Sequence, residues 1–276
     1  MMISLMMVRL PELIIVLYAL SILFYFIDFI GQNRKASQLA FYLLSIVWLL
    51  QTIFLFFYMF HTGRFPILTL FEGLYFYSWV LITLSLAIHK ISKVDFTIFF
   101  TNIVGFTIMT IHAFAPGQMP SMGDQLISEL LFIHVTMAIF SYGAFTLSFV
   151  FSLLYLLQYK LLKEKKWFKT LWRLGDLKRL EKMSYVLNVT GVPILLLSLI
   201  LGLQWALIKL SVFQWYDPKI VGSFLLIIIY SIWLFLRLKK EINGKRLAIW
   251  NCAAFLILLI NFFLASRMST FHIWYH

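Results

Sequence analysis

Eight long apolar runs, separated by short polar connections, mark out this chain: residues 13–30, 39–60, 70–88, 96–114, 130–159, 185–208, 220–236 and 247–265. Each is close to or above the ~20 residues that a helix needs to cross about 30 Å of hydrocarbon. The runs are continuous, whereas the strands of a membrane barrel alternate between apolar and polar positions. In a bilayer only a helix satisfies all of its backbone groups within one segment. The pattern predicts an all-α polytopic membrane protein with eight transmembrane helices. Composition agrees: the chain is 62% hydrophobic and 12% charged over 276 residues, more apolar surface than a soluble domain of this size can hide.

The formal net charge of +12 would suggest nucleic acid if it were spread evenly. It is not. The connections 31–38, 89–95, 160–182 and 237–246 hold 18 of the 23 Lys and Arg residues, and the opposite face holds Arg9, Arg64, Lys209, Lys219 and Arg267. This asymmetry is the positive-inside signal. It places both termini outside the cytoplasm and the four basic connections within it, and it implies a lipid bilayer as partner and no nucleic acid. The first run lacks a basic leader and a small-residue cleavage site, so it is expected to be retained in the cell membrane as a helix. Cys252 is the single cysteine, so there is no thiol pair for disulfide exchange or for covalent attachment of a cofactor.

No linker is long enough to divide the chain into separate domains, and residues 1–276 are expected to form one. Pro66, Pro116, Pro120 and Pro218 lie at predicted helix ends, and Pro193, beside Gly191, is expected to kink the sixth helix. Within the basic connection 160–182, Trp167, Phe168, Leu171 and Trp172 build one apolar face on a cationic helix. Such a segment lies in the headgroup region or docks a cytosolic protein, and the two roles are compatible.

Candidate chemistry gathers on the other side. The connection from Gly202 to Lys219 is aromatic-rich, and Trp205, Trp215 and Tyr216 are expected where lipid gives way to water. Flat rings there serve as an interfacial belt or as a platform for a planar apolar ligand such as heme. His134 opens the fifth helix and His272 follows the eighth, both level with that connection. Two imidazoles from different helices can clamp a heme iron from opposite faces, or they can rest at the interface without a ligand. His61, His112 and His276 read as interfacial, and His89 as a snorkelling residue beside Lys90. Among the carboxylates, Asp28 is within reach of Arg34 and Lys35, and Glu129 suits the positive end of its helix. Glu72 has Arg64 as its one nearby basic partner. Asp217-Pro218 reads as N-cap and first residue of the seventh helix. No catalytic nucleophile, general acid–base pair or phosphate loop is visible, and an enzyme is not expected. Nor is a solute transporter, for want of an unwound helix or midplane charge pair.

The run Leu180-Glu-Lys-Met-Ser-Tyr185, Gly191-Val-Pro193, Gly202, Trp205-Ala206 and Trp215-Tyr-Asp-Pro-Lys219 resembles the tryptophan-rich heme-handling (WWD) domain of the CcsA/ResC cytochrome c assembly family. Phe65-Pro66 with Leu70-Phe71-Glu72, Ile133-His134-Val135 with Ser141-Tyr142, and Phe271-His272 resemble further landmarks of that family. The resemblance runs from about residue 60 to the end. It implies heme as cofactor, with His134 and His272 as the external metal ligands and Trp205, Trp215, Tyr216 and Asp217 in the heme-binding motif. The chain departs from the family in three places, one of them a Trp-Ser-Trp-Asp motif that reads Gln214-Trp215-Tyr216-Asp217 here. A Trp-Ala-Asn-Glu-Ala-Trp-Gly stretch reads Trp205-Ala-Leu-Ile-Lys-Leu-Ser211, and the seventh helix, at 229–235, offers Phe235 and no embedded histidine. These departures resemble the HemX branch of the family. That branch implies a negative regulator of the amount of glutamyl-tRNA reductase in tetrapyrrole synthesis, against the alternative of a cytochrome c assembly factor or heme exporter.

Overall fold

The computed structural model describes residues 2–67, 69–92, 95–114, 129–165, 175–209, 214–240, 242 and 244–265. Eight α-helices run through them: α1 Met2–Gly31, α2 Arg34–Thr62, α3 Leu70–Ser92, α4 Asp95–Phe114, α5 Glu129–Lys163, α6 Leu177–Lys209, α7 Pro218–Leu238 and α8 Lys245–Ile260. A π-helical turn, Asn261–Ala265, extends α8. All eight helices are long and apolar enough to cross a membrane, one for each apolar run, and the chain is a multi-pass membrane protein.

Helix boundaries follow local chemistry. The Asn33 side chain accepts from the backbone N–H of Lys35 and Ala36 at the start of α2, and Gly63 ends that helix at a positive φ of 65°. Asp217 caps α7 through the Lys219 N–H with Pro218 in the first turn, as the sequence predicts. Two helices outrun their apolar runs. Helix α1 begins at Met2, so Pro11 sits inside it, and α6 begins at Leu177, because the Leu, Lys, Arg and Glu of 177–182 are all good helix formers. Helix α6 continues through Pro193. The aromatic face expected of 160–182 falls on residues 166–174, outside the described residues.

The helices group into two compact units, α1–α4 and α5–α8. In the first, α1 packs on α2, α3 on α4, and the ring closes through α2·α3 and α1·α4. Tyr18 of α1 donates to Asn102 Oδ1 of α4 (2.8 Å), and Asn102 donates on to Ser85 of α3 (3.1 Å). Phe29 meets Phe96, Phe99 and Phe100 at one end of the unit. At the opposite end the expected Arg64–Glu72 pair is present and elaborate. The Arg64 guanidinium forks onto both carboxylate oxygens at 2.8 and 3.0 Å, and the Tyr58 hydroxyl donates to the same group at 2.7 Å. Glu72 also accepts from the Thr69 N–H, while the Thr69 hydroxyl accepts from the Glu72 N–H, a capping box that starts α3. Glu72 is only 2% exposed. Asp28, expected to reach the membrane surface, is buried instead.

The second unit is built the same way around α5·α6, α6·α7, α7·α8 and α5·α8. Its centre is polar. The Asn251 amide donates to Ser148, Ser152 and Ser184 at 2.9, 2.8 and 3.3 Å, and its carbonyl accepts from Asn188 at 2.9 Å, so one side chain ties α8 to α5 and α6. Nearby, the Phe145 and Tyr230 rings stack at 4.0 Å. Large aliphatic and aromatic side chains remain exposed along α1, α2 and α7, the faces that meet lipid.

Removing one partner of a buried ion pair strands the other, at about 3–5 kcal/mol. Arg64→Ala is therefore expected to lower the thermal unfolding midpoint of the detergent-purified protein sharply, and adding Glu72→Gln should recover much of the loss. A midpoint unchanged by Arg64→Ala would show that the pair contributes nothing to stability.

Candidate functional site

His134 lies one turn into α5 and packs against α6 of the same unit. Its Nδ1 is 2.6 Å from the Ser198 carbonyl and 3.1 Å from the Ser198 hydroxyl, which itself donates to the His134 carbonyl at 2.8 Å. A carbonyl only accepts, so Nδ1 carries a ring proton and donates it to Ser198. Imidazoles that ligate metals are commonly oriented by such a bond from one ring nitrogen to a backbone oxygen. The ring lies flat on Gly202, where an added Cβ would come within 2.6 Å of Cε1 and 3.0 Å of Nε2. Ser198 and Gly202 are four residues apart and share one face of α6, and two small residues so placed let a neighbour approach closely. That spacing is the signal for the seat of His134, and it was present in the sequence.

Around the end of α6 the aromatic residues separate. Trp205 is 5% exposed, so its ring is buried and is not a component of a displayed surface. Trp215 and Tyr216 are 60% and 75% exposed. They occupy the two corners of a turn closed by the Asp217 N–H on the Gln214 carbonyl (3.2 Å), which turns their side chains outward. Asp217 is buried and spends its carboxylate on the cap of α7.

Sequence reasoning assigned no role to the residues that join α7 to the end of α8. Lys219, in the first turn of α7, donates to the Asn261 carbonyl in the π-helical turn at 3.1 Å, and its ammonium lies 5.4 Å from the centre of the Phe262 ring. The Asn261 side chain rests against Gly222 and donates to Ser223 at 3.4 Å, and both side chains hydrogen-bond the Tyr142 hydroxyl. π-Helical turns recur at functional sites, since they present carbonyls that a regular helix would use internally.

His272, the expected second ligand, lies outside the described residues, as does His276. His61 is exposed. His112 overturns its interfacial reading. It is 1% exposed, its Nδ1 bonds the Phe71 carbonyl at 2.8 Å, and its ring packs on Phe71 at 3.9 Å between centroids. An apolar helix end can face a neighbouring helix as readily as lipid, and sequence spacing alone does not say which. His89 stacks near Phe41 at 5.4 Å. Among the described residues no group of three or more His, Cys, Asp or Glu converges to hold a metal, so an iron here would rest on one imidazole from this region of the chain.

Overpacking a close contact costs about 1–3 kcal/mol. Gly202→Ala is expected to lower the unfolding midpoint accordingly, and His134→Ala should relieve that penalty when the two are combined. Strictly additive losses in this double-mutant cycle would dissolve the Gly202–His134 contact.

Residues 67–272 match the family model described as cytochrome C assembly protein. Over 268 residues the chain is 58% identical to Protein HemX of Bacillus subtilis (strain 168), covering 96% of this chain and 97% of that protein. It is 48% identical over 265 residues to Protein HemX of Brevibacillus brevis, again covering 96% and 97%. A more distant likeness, 28% over 207 residues, is to the cytochrome c biogenesis protein CcsA of Chlamydomonas reinhardtii, covering 71% of this chain and 56% of that one. A fold of eight membrane-crossing helices, matched by the family model over most of its length and by HemX proteins from end to end, belongs to the cytochrome c assembly protein family as a HemX-type member.

Proposed function

We propose that this protein is a membrane regulator that holds heme at the His134 end of its second unit and lowers the steady-state amount of glutamyl-tRNA reductase. The observation that carries the heme reading is the imidazole of His134, fixed on the Ser198 carbonyl and seated on Gly202. The donor set fits the group: one imidazole held by a backbone carbonyl, with exposed aromatic rings on the neighbouring turn. Heme would supply an iron within a planar apolar ring, and His134 and His272 would hold that iron. Trp215 and Tyr216 would cover the ring from the water side, Trp205 would back the site, and Asp217 holds the turn in place. The regulatory role is supported by the likeness to HemX proteins over nearly the whole chain.

In this reading both termini and the His134 end face away from the cytoplasm, and the basic connections, 160–182 above all, face the reductase side of the cell membrane. The protein acts by binding and is no enzyme. A second reading, cytochrome c assembly or heme export, is favoured by the family match over residues 67–272. A deletion strain separates the two. Reductase abundance on an immunoblot is expected to rise while heme-stained c-type cytochromes stay normal. Unchanged reductase with lost cytochromes would transfer the protein to the second reading.

His134→Ala and His272→Ala are each expected to lower the heme that co-purifies in detergent several-fold, measured as Soret absorbance per protein. Equal absorbance in the wild type and both variants would remove these residues as ligands.

A further inference from the structure

The turn from α7 to α8 carries more positive charge than its helices ask for. Residues 237–246 hold Arg237, Lys239, Lys240, Lys245 and Arg246 against a single acid, Glu241. By sequence, the connections 31–38 and 89–95 of the first unit hold two cations each, so two are enough to mark a connection by the positive-inside rule. Local energetics do not explain the excess. A cation suits the last turn of α7, but Lys245 and Arg246 are the first two residues of α8, the end of a helix that repels positive charge. Lys240 follows the cap of α7 at a φ of 57°, a left-handed conformation for which glycine is the unstrained choice. Arg237 is committed to Glu181 at 2.7 Å and lies beside the Tyr185 ring. Lys239, Lys245 and Arg246 are exposed, and among the described residues none of the three has an acidic partner.

What lies beneath these cations is apolar and outward-facing. The Lys239 ammonium is 4.5 Å from the centre of the Phe235 ring, and that ring is itself 52% exposed on a helix whose face meets lipid. Leu238 is exposed beside it. Across the turn, Lys245 is 5.8 Å from the centre of the Tyr159 ring, and Ile249 and Trp250 are exposed one turn further along α8. A water-soluble acidic partner has no use for apolar side chains flanking the charge. A molecule with an anionic head and a hydrocarbon tail meets both. We propose that the α7–α8 turn binds an anionic phospholipid, whose phosphate headgroup is taken by Lys239, Lys245 and Arg246 and whose chains run along the exposed apolar side chains below them. The three cations stand on either side of one turn between helices that pack together, so a single headgroup reaches them all. Arg237, held by Glu181, ties the end of α7 to α6 and steadies the site. The inference does not depend on the heme reading. Attraction of this kind is electrostatic and is screened by salt.

The test adds phosphatidylglycerol or phosphatidylcholine to the detergent-purified full-length protein and counts bound lipid by native mass spectrometry. The wild type is expected to prefer phosphatidylglycerol by at least about tenfold and to lose the preference at high salt. Lys239→Gln, Lys245→Gln and Arg246→Gln should each weaken phosphatidylglycerol binding about fivefold and leave phosphatidylcholine unchanged. Lys245→Arg should keep the preference, which sets loss of charge apart from damage to the fold. Arg34→Gln combined with Lys35→Gln should also keep it, which sets a site apart from attraction to net charge. Glycerol phosphate, the headgroup anion without chains, should not displace the lipid at equal concentration. A wild type without the preference overturns the site, and so does a preference that the Arg34/Lys35 variant or Lys245→Arg loses as fully as the glutamine variants. Displacement by glycerol phosphate overturns the phospholipid as ligand.

Discussion

Hydrocarbon offers no water to a stranded donor or acceptor, so every polar group this chain carries into the bilayer must find a partner inside the chain. The fold reads as a set of answers to that demand. Backbone groups are settled by making each crossing a helix. Side chains are settled by pairing helices at a few chosen points: Tyr18 with Asn102 and Ser85, Glu72 with Arg64 and Tyr58, and Asn251 with Asn188 and three serines. Lipid gives apolar faces no reason to prefer one another, so these contacts and close packing at small residues decide which helix sits beside which.

The same rule shapes the candidate site. His134 could not be carried into an apolar helix end with both nitrogens idle, and Ser198 supplies the carbonyl that occupies one of them. The consequence is structural, because the bond fixes the orientation of the ring. Lys219 is treated alike, its ammonium steadied by a carbonyl that the π-helical turn makes available. Both groups are held by backbone oxygens of a neighbouring segment of the same unit.

The elements whose cause is local were legible in the sequence. Eight apolar runs became eight helices, Asp217-Pro218 became the start of α7, and the proximity of Arg64 to Glu72 foretold their ion pair. Contacts across long sequence separations were not legible. Nothing beside Asn251 in the chain points to Ser148, and the Ser198–Gly202 spacing marks a close-packed face without saying that His134 fills it. Trp205 and Trp215 look alike as interfacial tryptophans, yet one lies on a helix face turned inward and the other at the corner of a turn. His112 was misread for the same reason. Which side of an apolar helix meets protein and which meets lipid is a property of the packed unit, and uniform hydrophobicity around the helix erases the stripe that would otherwise reveal it.

The bare backbone at position 202 has a consequence for how this sequence can drift. Any side chain there would enter the space that the ring at position 134 fills, so neither site is free to vary alone. A lineage that enlarges residue 202 must already have given up the imidazole, and one that has lost the imidazole no longer needs a glycine. Linked replacement at these two positions would be the trace left in descendants that have given up this contact.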